Sequence, residues 1–223
     1  MRRTIRSFLL LLAAAAPLAS CGETPAAPQV DPDVILIVDG LQIRRQEVER
    51  YAKIHQSTAP ELGHKTIERH LLENYVLPLR VAQREFAERR AELRQQAQTL
   101  SEVATNVFEL EQRGELLFHK RKLVTRRQIE PPVAEFAFDP EKTGSVSGVL
   151  EVPHGFIVAG CYEIQESAIV TEDLADLLQV GFATHTNAEW VEWLRQMQAR
   201  LADKVTYVHP DHRDCLPTWL KLP

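Results

Sequence analysis

Residues 132–164 read PVAEFAFDPEKTGSVSGVLEVPHGFIVAGCYEI, and the interpretation of the whole chain depends on this stretch. A short apolar turn of helix leads into an Asp-Pro loop that ends at Gly144. Two β-rich runs follow, and Pro153-His154-Gly155 separates them. Proline presets φ and glycine accepts the closing geometry of a tight reversal. The stretch therefore predicts a β-hairpin with a helical turn packed on it.

Residues 1–20 are typical of an export signal. Arginines at the start precede an apolar run, residues 8–16, which is too short for a permanent membrane helix. Leu-Ala-Ser then leads directly to Cys21. This order resembles the lipobox of bacterial lipoproteins, whose cysteine is lipidated and becomes the new N-terminus. The alternative is an ordinary secretory signal with a cysteine near its cleavage site. Gly22 in place of Asp implies, by the same resemblance, the outer membrane.

The composition limits the classes of partner. The net charge is −5, and residues 1–20 hold three of the 26 basic residues but none of the 31 acidic ones. The remaining chain is therefore more acidic, which argues against nucleic acid as a partner. Residues 21–33 are rich in Pro and Ala and predict a tether. The rest is long enough for one good core or two small ones.

The first half of the chain is predicted to be mainly helical. Residues 34–38 form an unbroken apolar run, typical of a strand buried on both faces, and an Asp-Gly turn and a short amphipathic helix over 46–54 follow. From Thr66 to about Arg94 an apolar stripe indicates a long helix that Pro78 kinks. Thr99-Leu-Ser-Glu102 matches a capping box, so a second helix is predicted from Leu100.

A dense basic cluster, HKRKLVTRR, spans residues 119–127. One interpretation is a solvated helix end whose cations face the negative end of the helix dipole. The other is a patch that contacts anionic headgroups or acidic client proteins.

The last third is predicted to hold two helices and a strand. Thr171 caps a short helix with Leu174, Leu177 and Leu178 on one side, and Thr186 caps another over the Trp/Met stripe that follows. Residues 204–208 predict a strand, and 211–223 form an irregular tail.

Three segments resemble the SurA/PrsA-type envelope chaperones. They are VILIVDGLQIRRQEVERY (34–51), LLENYVLPLRVAQREFAER (71–89) and WLRQMQARLADKVTYVHPD (193–211). The resemblance implies an α+β fold with a mostly helical, SurA-N-like chaperone domain, built from residues 34–127 and closed by residues 183–210. It also implies that the last strand returns to pair with the first, so Val34–Val38 should pair with Val205–Val208.

Residues 128–182 resemble the second half of a parvulin, the prolyl isomerase domain found in these chaperones. Phe136, Gly144-Ser145-Val146-Ser147 and Gly155-Phe156 fall on the parvulin pattern. However, Ile157 occupies the family's histidine position, His154 precedes the glycine, and the first half of a parvulin is missing. Rotation about a prolyl bond requires an apolar pocket and a polar wall. We therefore expect a small β-hairpin remnant whose vestigial positions, Phe136, His154, Phe156 and Ile157, do not catalyse isomerisation.

The cysteines and histidines suggest two further sites. Cys161 and Cys215 remain after lipidation of Cys21, and an oxidising envelope favours a disulfide between them. Alternatively, His209, His212 and Cys215 are spaced three apart, and imidazole and thiolate are ligands of zinc or copper. The disulfide and the metal site exclude each other, and we expect no cofactor.

The function implied by the resemblance is that of a periplasm-facing, lipid-anchored chaperone for unfolded or nascent exported polypeptides. Clients would lie on uncovered helix surface near Tyr75, Leu79 and Phe86, around the Pro78 kink. Two alternatives stay open. One is an active peptidyl-prolyl cis-trans isomerase, and the other is an accessory scaffold lipoprotein with one dedicated envelope partner.

Overall fold

The structure is a computed structural model that describes residues 30–58, 61–114 and 119–222. The predicted signal peptide, Cys21 and most of the predicted tether lie outside the described residues. Within the described ranges, no helix is both long enough and apolar enough to cross a membrane.

The first sheet joins the two ends of the folded chain. Its strands are β1 (Val34–Val38), β2 (Leu41–Arg44) and β7 (Val205–Val208), in the order β2-β1-β7 with antiparallel pairing. Leu36 lies opposite Val208, so the predicted pairing of the first and last strands is confirmed. The predicted Asp39-Gly40 turn is also confirmed, and both residues have positive φ, 49° and 75°.

Four helices pack on this sheet and complete what we call the helical lobe. They are α1 (Arg45–Thr58), α2 (His64–Leu71), α3 (Leu77–Glu85) and α7 (Asn187–Leu201). As predicted, Thr186 caps α7, and it forms a capping box with Glu189. The shared core includes Ile35, Leu36, Ile43, Leu71, Leu77 and Met197.

Pro78 is accommodated by a wide turn of helix. A π-helical segment, Leu72–Val76, joins α2 to α3, and Pro78 stands in the first turn of α3. Proline lacks the backbone donor of a regular helix, and a π turn changes the local hydrogen-bond register. The chain stays helical across Pro78, as we predicted.

The predicted start of a helix at Leu100 is wrong. The helix α4 runs from Ala87 to Val103, and Thr99 donates its hydroxyl proton back to the Gln95 carbonyl instead of capping a new helix. The helix α5 (Val107–Gly114) begins after an extended residue at Ala104. Asn106 caps α5, because its side-chain oxygen accepts hydrogen bonds from the Phe108 and Glu109 amides.

The second sheet contains the predicted hairpin. Its strands are β3 (His119–Val124), β4 (Leu150–Val152), β5 (Gly155–Gln165) and β6 (Leu174–Ala183), in the antiparallel order β3-β6-β5-β4. The strands β4 and β5 pair around the Pro153-His154 turn, and α6 (Pro131–Ala137) packs on β5. The hairpin and its helical turn are confirmed, although they belong to a larger sheet than the small remnant we expected.

Two segments predicted as helix are strands of this sheet. The segment after Thr171 is β6, which lies between β3 and β5, and not a helix. Adjacent side chains of a strand point to opposite faces of the sheet, so Leu177 and Leu178 belong to different apolar clusters. The strand β6 is therefore buried on both faces. Residues 119–124 of the basic cluster form the edge strand β3, and Arg126 and Arg127 follow in a short 3₁₀ turn, so the cluster does not end an α-helix. Lysines are common on such edge strands.

We call β3–β6 and helices α4–α6 the sheet lobe. On one face the core contains Phe156, Val158, Leu178, Val180 and Phe182, packed against α4 and α5. On the other face it contains Ile157, Ala159, Cys161, Ala175 and Leu177, packed against α6. The fold class is therefore α+β, with two small antiparallel sheets, as the sequence predicts.

A buried arginine joins the hairpin to the helices. Arg90 of α4 is 4% exposed, and its guanidinium donates to the carbonyls of Val152 and Pro153 at 3.1 and 2.9 Å. It also pairs with Glu151 at 2.9 Å. The Tyr75 hydroxyl donates to the Glu151 carbonyl at 3.0 Å. Arg90 thus fixes the β4–β5 turn to α4, and Tyr75 joins β4 to the helical lobe.

Candidate functional site

A cleft of about 460 Å³ lies between the helical lobe and the second sheet. One wall is formed by α1, α2 and the π segment, the floor by β3, β5 and β6, and the far wall by the chain leading into α6. The lining side chains that could bind or react with a ligand include His55, His70, Asn74, Lys120, Lys122, Arg127, Glu130 and His154.

The positive charge of the cleft comes from three residues of the basic cluster. Lys120 and Lys122 alternate along β3, so their side chains share the face that lines the cleft. No ion pair joins either lysine to another residue of the described ranges. Arg127 lies at the rim, where it pairs with exposed Glu61 at 2.7 Å. The sharper interpretation of the basic cluster, a surface for anionic groups, is compatible with this placement.

Two of the cleft histidines are held neutral near pH 7. Burial, His70 and Arg127 lower the pKa of His55. Burial and Arg90 lower the pKa of His154, which occupies the hairpin turn as predicted. These imidazoles therefore add hydrogen-bonding groups to the cleft without adding charge at neutral pH.

Glu130 is the acidic group of the cleft. It precedes α6, and burial raises the pKa of its carboxyl group to about 7. Near neutral pH it is therefore partly protonated, and it offsets the lysines less than an exposed carboxylate would. The ammonium groups of Lys120 and Lys122 and the neutral imidazoles beside them can therefore bind an anion through charge and hydrogen bonds.

The vestigial parvulin positions do not converge on this cleft. His154 and Ile157 line it, whereas Phe156 points to the opposite face of the sheet and lies under Arg90, 4.9 Å from the guanidinium carbon. Phe136 packs against the core beneath α6. Of the four vestigial positions, only Phe156 therefore faces the other side of the sheet.

The structure leaves little surface uncovered at the expected client-binding positions Tyr75, Leu79 and Phe86. Tyr75 is only 2% exposed, and its ring meets the edge of Tyr51 at 4.8 Å. Leu79 is half-buried against the core, and Phe86 packs between His185 and Trp193. The apolar stripe of these helices faces the core of the helical lobe, because α1 and α7 cover it.

An open apolar groove lies elsewhere, between α4 and α5. It has a volume of about 610 Å³, and Leu100, Val103 and Phe182 line it. Val103 is 42% exposed, and Phe108, one turn before the groove residue Gln112, is 64% exposed. Sequence analysis missed this groove because it predicted that a new helix starts at Leu100. In the structure α4 continues through Leu100 and ends at Val103. The signal that the sequence offered was two large apolar residues, Val103 and Phe108, on either side of a helix break.

The predicted disulfide is wrong, because Cys161 and Cys215 are both free and buried in different parts of the fold. The Cys161 thiol donates to the Ala137 carbonyl beneath α6, and burial raises its pKa to about 11. Cys215 lies instead beside Glu68 of α2, and burial together with that carboxylate raises the pKa of its thiol to about 12.

Of the predicted metal ligands His209, His212 and Cys215, the structure brings two together. His212 and Cys215 come close to each other and to Glu68, which sequence analysis did not single out. His209 is not in this group: its ring nitrogen accepts a hydrogen bond from the Asp211 amide and caps the segment Pro210–Cys215.

Comparisons with protein-family models, with curated proteins and with solved structures give no match.

Proposed function

We propose that this protein is a periplasm-facing lipoprotein chaperone that binds non-native exported polypeptides and has no isomerase activity. The observation that carries the proposal is the open apolar groove between α4 and α5. Among the residues that line the groove, Leu100 and Phe182 are nearly buried and Val103 is 42% exposed, so an apolar segment of another chain would contact chiefly Val103.

The topology supports the SurA-like part of the proposal. The pairing of β1 with β7 around a helical lobe is the closure that the resemblance implies. The sheet lobe is inserted in sequence between α3 and α7, where SurA-type proteins carry a parvulin. The lipobox at Cys21 supports attachment to the outer membrane.

The basic cleft gives the proposed chaperone a second contact surface. Lys120 and Lys122 present ammonium groups that attract acidic segments of a client, while the groove holds its apolar segments. The two surfaces lie on opposite faces of the second sheet, so an extended client would contact them around the sheet edge.

Suppression of aggregation tests the groove. Light scattering from an aggregating test protein should fall when the wild-type chain is added. Val103→Glu should weaken this effect about tenfold or more in concentration, because a charge in an apolar contact is costly. Val191→Glu is the matched control, since Val191 is 66% exposed on α7, outside the groove. Equal activity of both variants and wild type would exclude the groove as the client site.

The two alternatives predict other results. A protease-coupled proline-peptide assay should give the buffer rate, because Ile157 occupies the family's histidine position and the first half of a parvulin is missing. A rate above buffer would favour the isomerase. Pull-down from an envelope extract should give many clients, whereas one stoichiometric partner would favour the accessory scaffold.

A further inference from the structure

Three potential metal ligands from distant parts of the chain meet beside α2. Glu68 belongs to α2, and His212 and Cys215 belong to the 3₁₀-helical segment Pro210–Cys215. One ligand atom from each lies within 4.8 Å of the others, and all three residues are buried. Ligand atoms around a tetrahedral Zn²⁺ are about 3–4 Å apart, so side-chain movements of about 1 Å would close the site.

The charge balance of this cluster favours a cation. Glu68 is 2% exposed, and its ion-pair partners among the described residues are the imidazoles of His64 and His212. Lys65 and Arg69, on the same helix, reach Asp214 instead, with a salt bridge from Lys65 to the carboxylate and a hydrogen bond from Arg69 to the carbonyl. A buried carboxylate that lacks a permanently charged partner is unfavourable.

The imidazole of His212 is also incompletely satisfied by the protein. Its Nδ1 contacts Glu68, while its buried Nε2 has no hydrogen-bond partner among the described residues. Buried polar atoms normally have a partner. Nitrogen, sulfur and carboxylate oxygen together form a ligand set that zinc accepts.

We propose that Glu68, His212 and Cys215 bind one Zn²⁺ ion, with the fourth position left to water. On binding, the Cys215 thiol releases its proton to solvent as the zinc–sulfur bond forms, the neutral His212 imidazole carries its proton on the ring nitrogen that does not bind the metal, and no redox change takes place. The carboxylate of Glu68 and the thiolate then balance the dication. The ion links the C-terminal segment to α2, and His64, 3.5 Å from the second oxygen of Glu68, orients that carboxylate.

Metal titration of the full chain in detergent tests this site. Isothermal titration with Zn²⁺, under a reductant that does not bind metal, should give one equivalent bound. A hundredfold excess of Zn²⁺ over its dissociation constant should raise the midpoint of thermal unfolding by roughly 5–10 °C. Co²⁺ in place of Zn²⁺ should give a thiolate-to-cobalt charge-transfer band in the ultraviolet.

Variants assign the ligands. Cys215→Ser and Glu68→Gln keep nearly the original side-chain shapes and should weaken Zn²⁺ binding at least about tenfold, and Cys215→Ser should abolish the charge-transfer band. Cys161→Ser removes the other buried thiol and should leave both readouts unchanged. The wild-type titration and spectrum do not depend on the folding of any variant. Absence of binding to wild type, or a charge-transfer band that survives Cys215→Ser, would overturn the proposal.

Discussion

Arg90 shows how one buried side chain holds the β4–β5 hairpin to α4 within the sheet lobe. Its guanidinium donates to the Val152 and Pro153 carbonyls and pairs with Glu151. Arg90→Ala should lower the free energy of unfolding by about 3 kcal/mol, because buried carbonyls lose a charged donor. Urea unfolding measures this loss. Arg89→Ala is the control, since Arg89 is exposed and its ion-pair partner among the residues that the structure describes is Glu92, one turn on. Its removal should cost below about 0.5 kcal/mol. Similar losses for the two variants would contradict the role of Arg90.

Glu130 should make stability depend on pH. Burial raises the pKa of its carboxyl group from an ordinary value of 4.5 to about 7. The folded protein therefore binds more protons than the unfolded chain between these values, so its stability falls as the pH rises above 4.5 and levels off once the pH exceeds 7. Glu130→Gln should add about 1–3 kcal/mol at pH 8 and almost nothing at pH 4. Unfolding curves across this range measure the difference, and the exposed Glu141→Gln should show no such trend.

Elements with strong local signals could be predicted from the sequence. The Thr186 capping box fixed the start of α7, and the apolar run of β1 had the pattern of a strand buried on both faces. The same reasoning misassigned β6, because Leu174, Leu177 and Leu178 fit a helical stripe as well as a central strand. Pairing with β3 and β5 decides between the two, and such partners are distant in sequence.

The candidate sites depended even more on tertiary contacts. The cations of the basic cluster were visible in the sequence, but Lys120 and Lys122 line a cleft only because β3 joins the second sheet. The sequence of a helix reveals its apolar stripe but not the elements that pack against it. Tyr75 was therefore expected to be available for clients, although it is buried. Nothing in the sequence singled out Glu68 as a potential metal ligand. It lies in the cluster only because the fold brings it to His212, which is 144 residues away in the chain.

The packing of α5 on β5 depends on the absence of a side chain at Gly160. A Cβ there would lie 2.7 Å from a methyl carbon of Val107 and 3.2 Å from one of Leu110. Gly160→Ala should destabilise the protein by about 1–3 kcal/mol, because the helix must move away from the sheet. Gly148→Ala is the matched control, since its Cβ would meet nothing within 4 Å. Urea unfolding distinguishes the two, and an unchanged midpoint for Gly160→Ala would show that α5 shifts without cost.

The strand β7, near the C-terminus, pairs with β1, the first strand of the fold, and so completes the helical lobe. The C-terminal residues Val205, Val208, Leu216 and Leu220 belong to the core of the helical lobe, while β7 covers an edge of β1. Burial of one such side chain contributes about 1.5–3 kcal/mol, so the four together contribute about as much as the whole stability of a typical domain.

A chain that ends at Ala202 should therefore lose cooperative unfolding. It keeps α7 but lacks β7 and the four buried side chains, so β1 has an open edge and the helical lobe an exposed core. Because Tyr75 of the helical lobe holds the hairpin through the Glu151 carbonyl, the sheet lobe should loosen as well. Fluorescence of Trp190 and Trp193 during heating measures the transition. A chain that ends at His209 keeps β7 and should still unfold cooperatively, at a lower temperature than the full chain. If the shorter chain melted like the full one, the pairing of β1 with β7 would not hold the fold together.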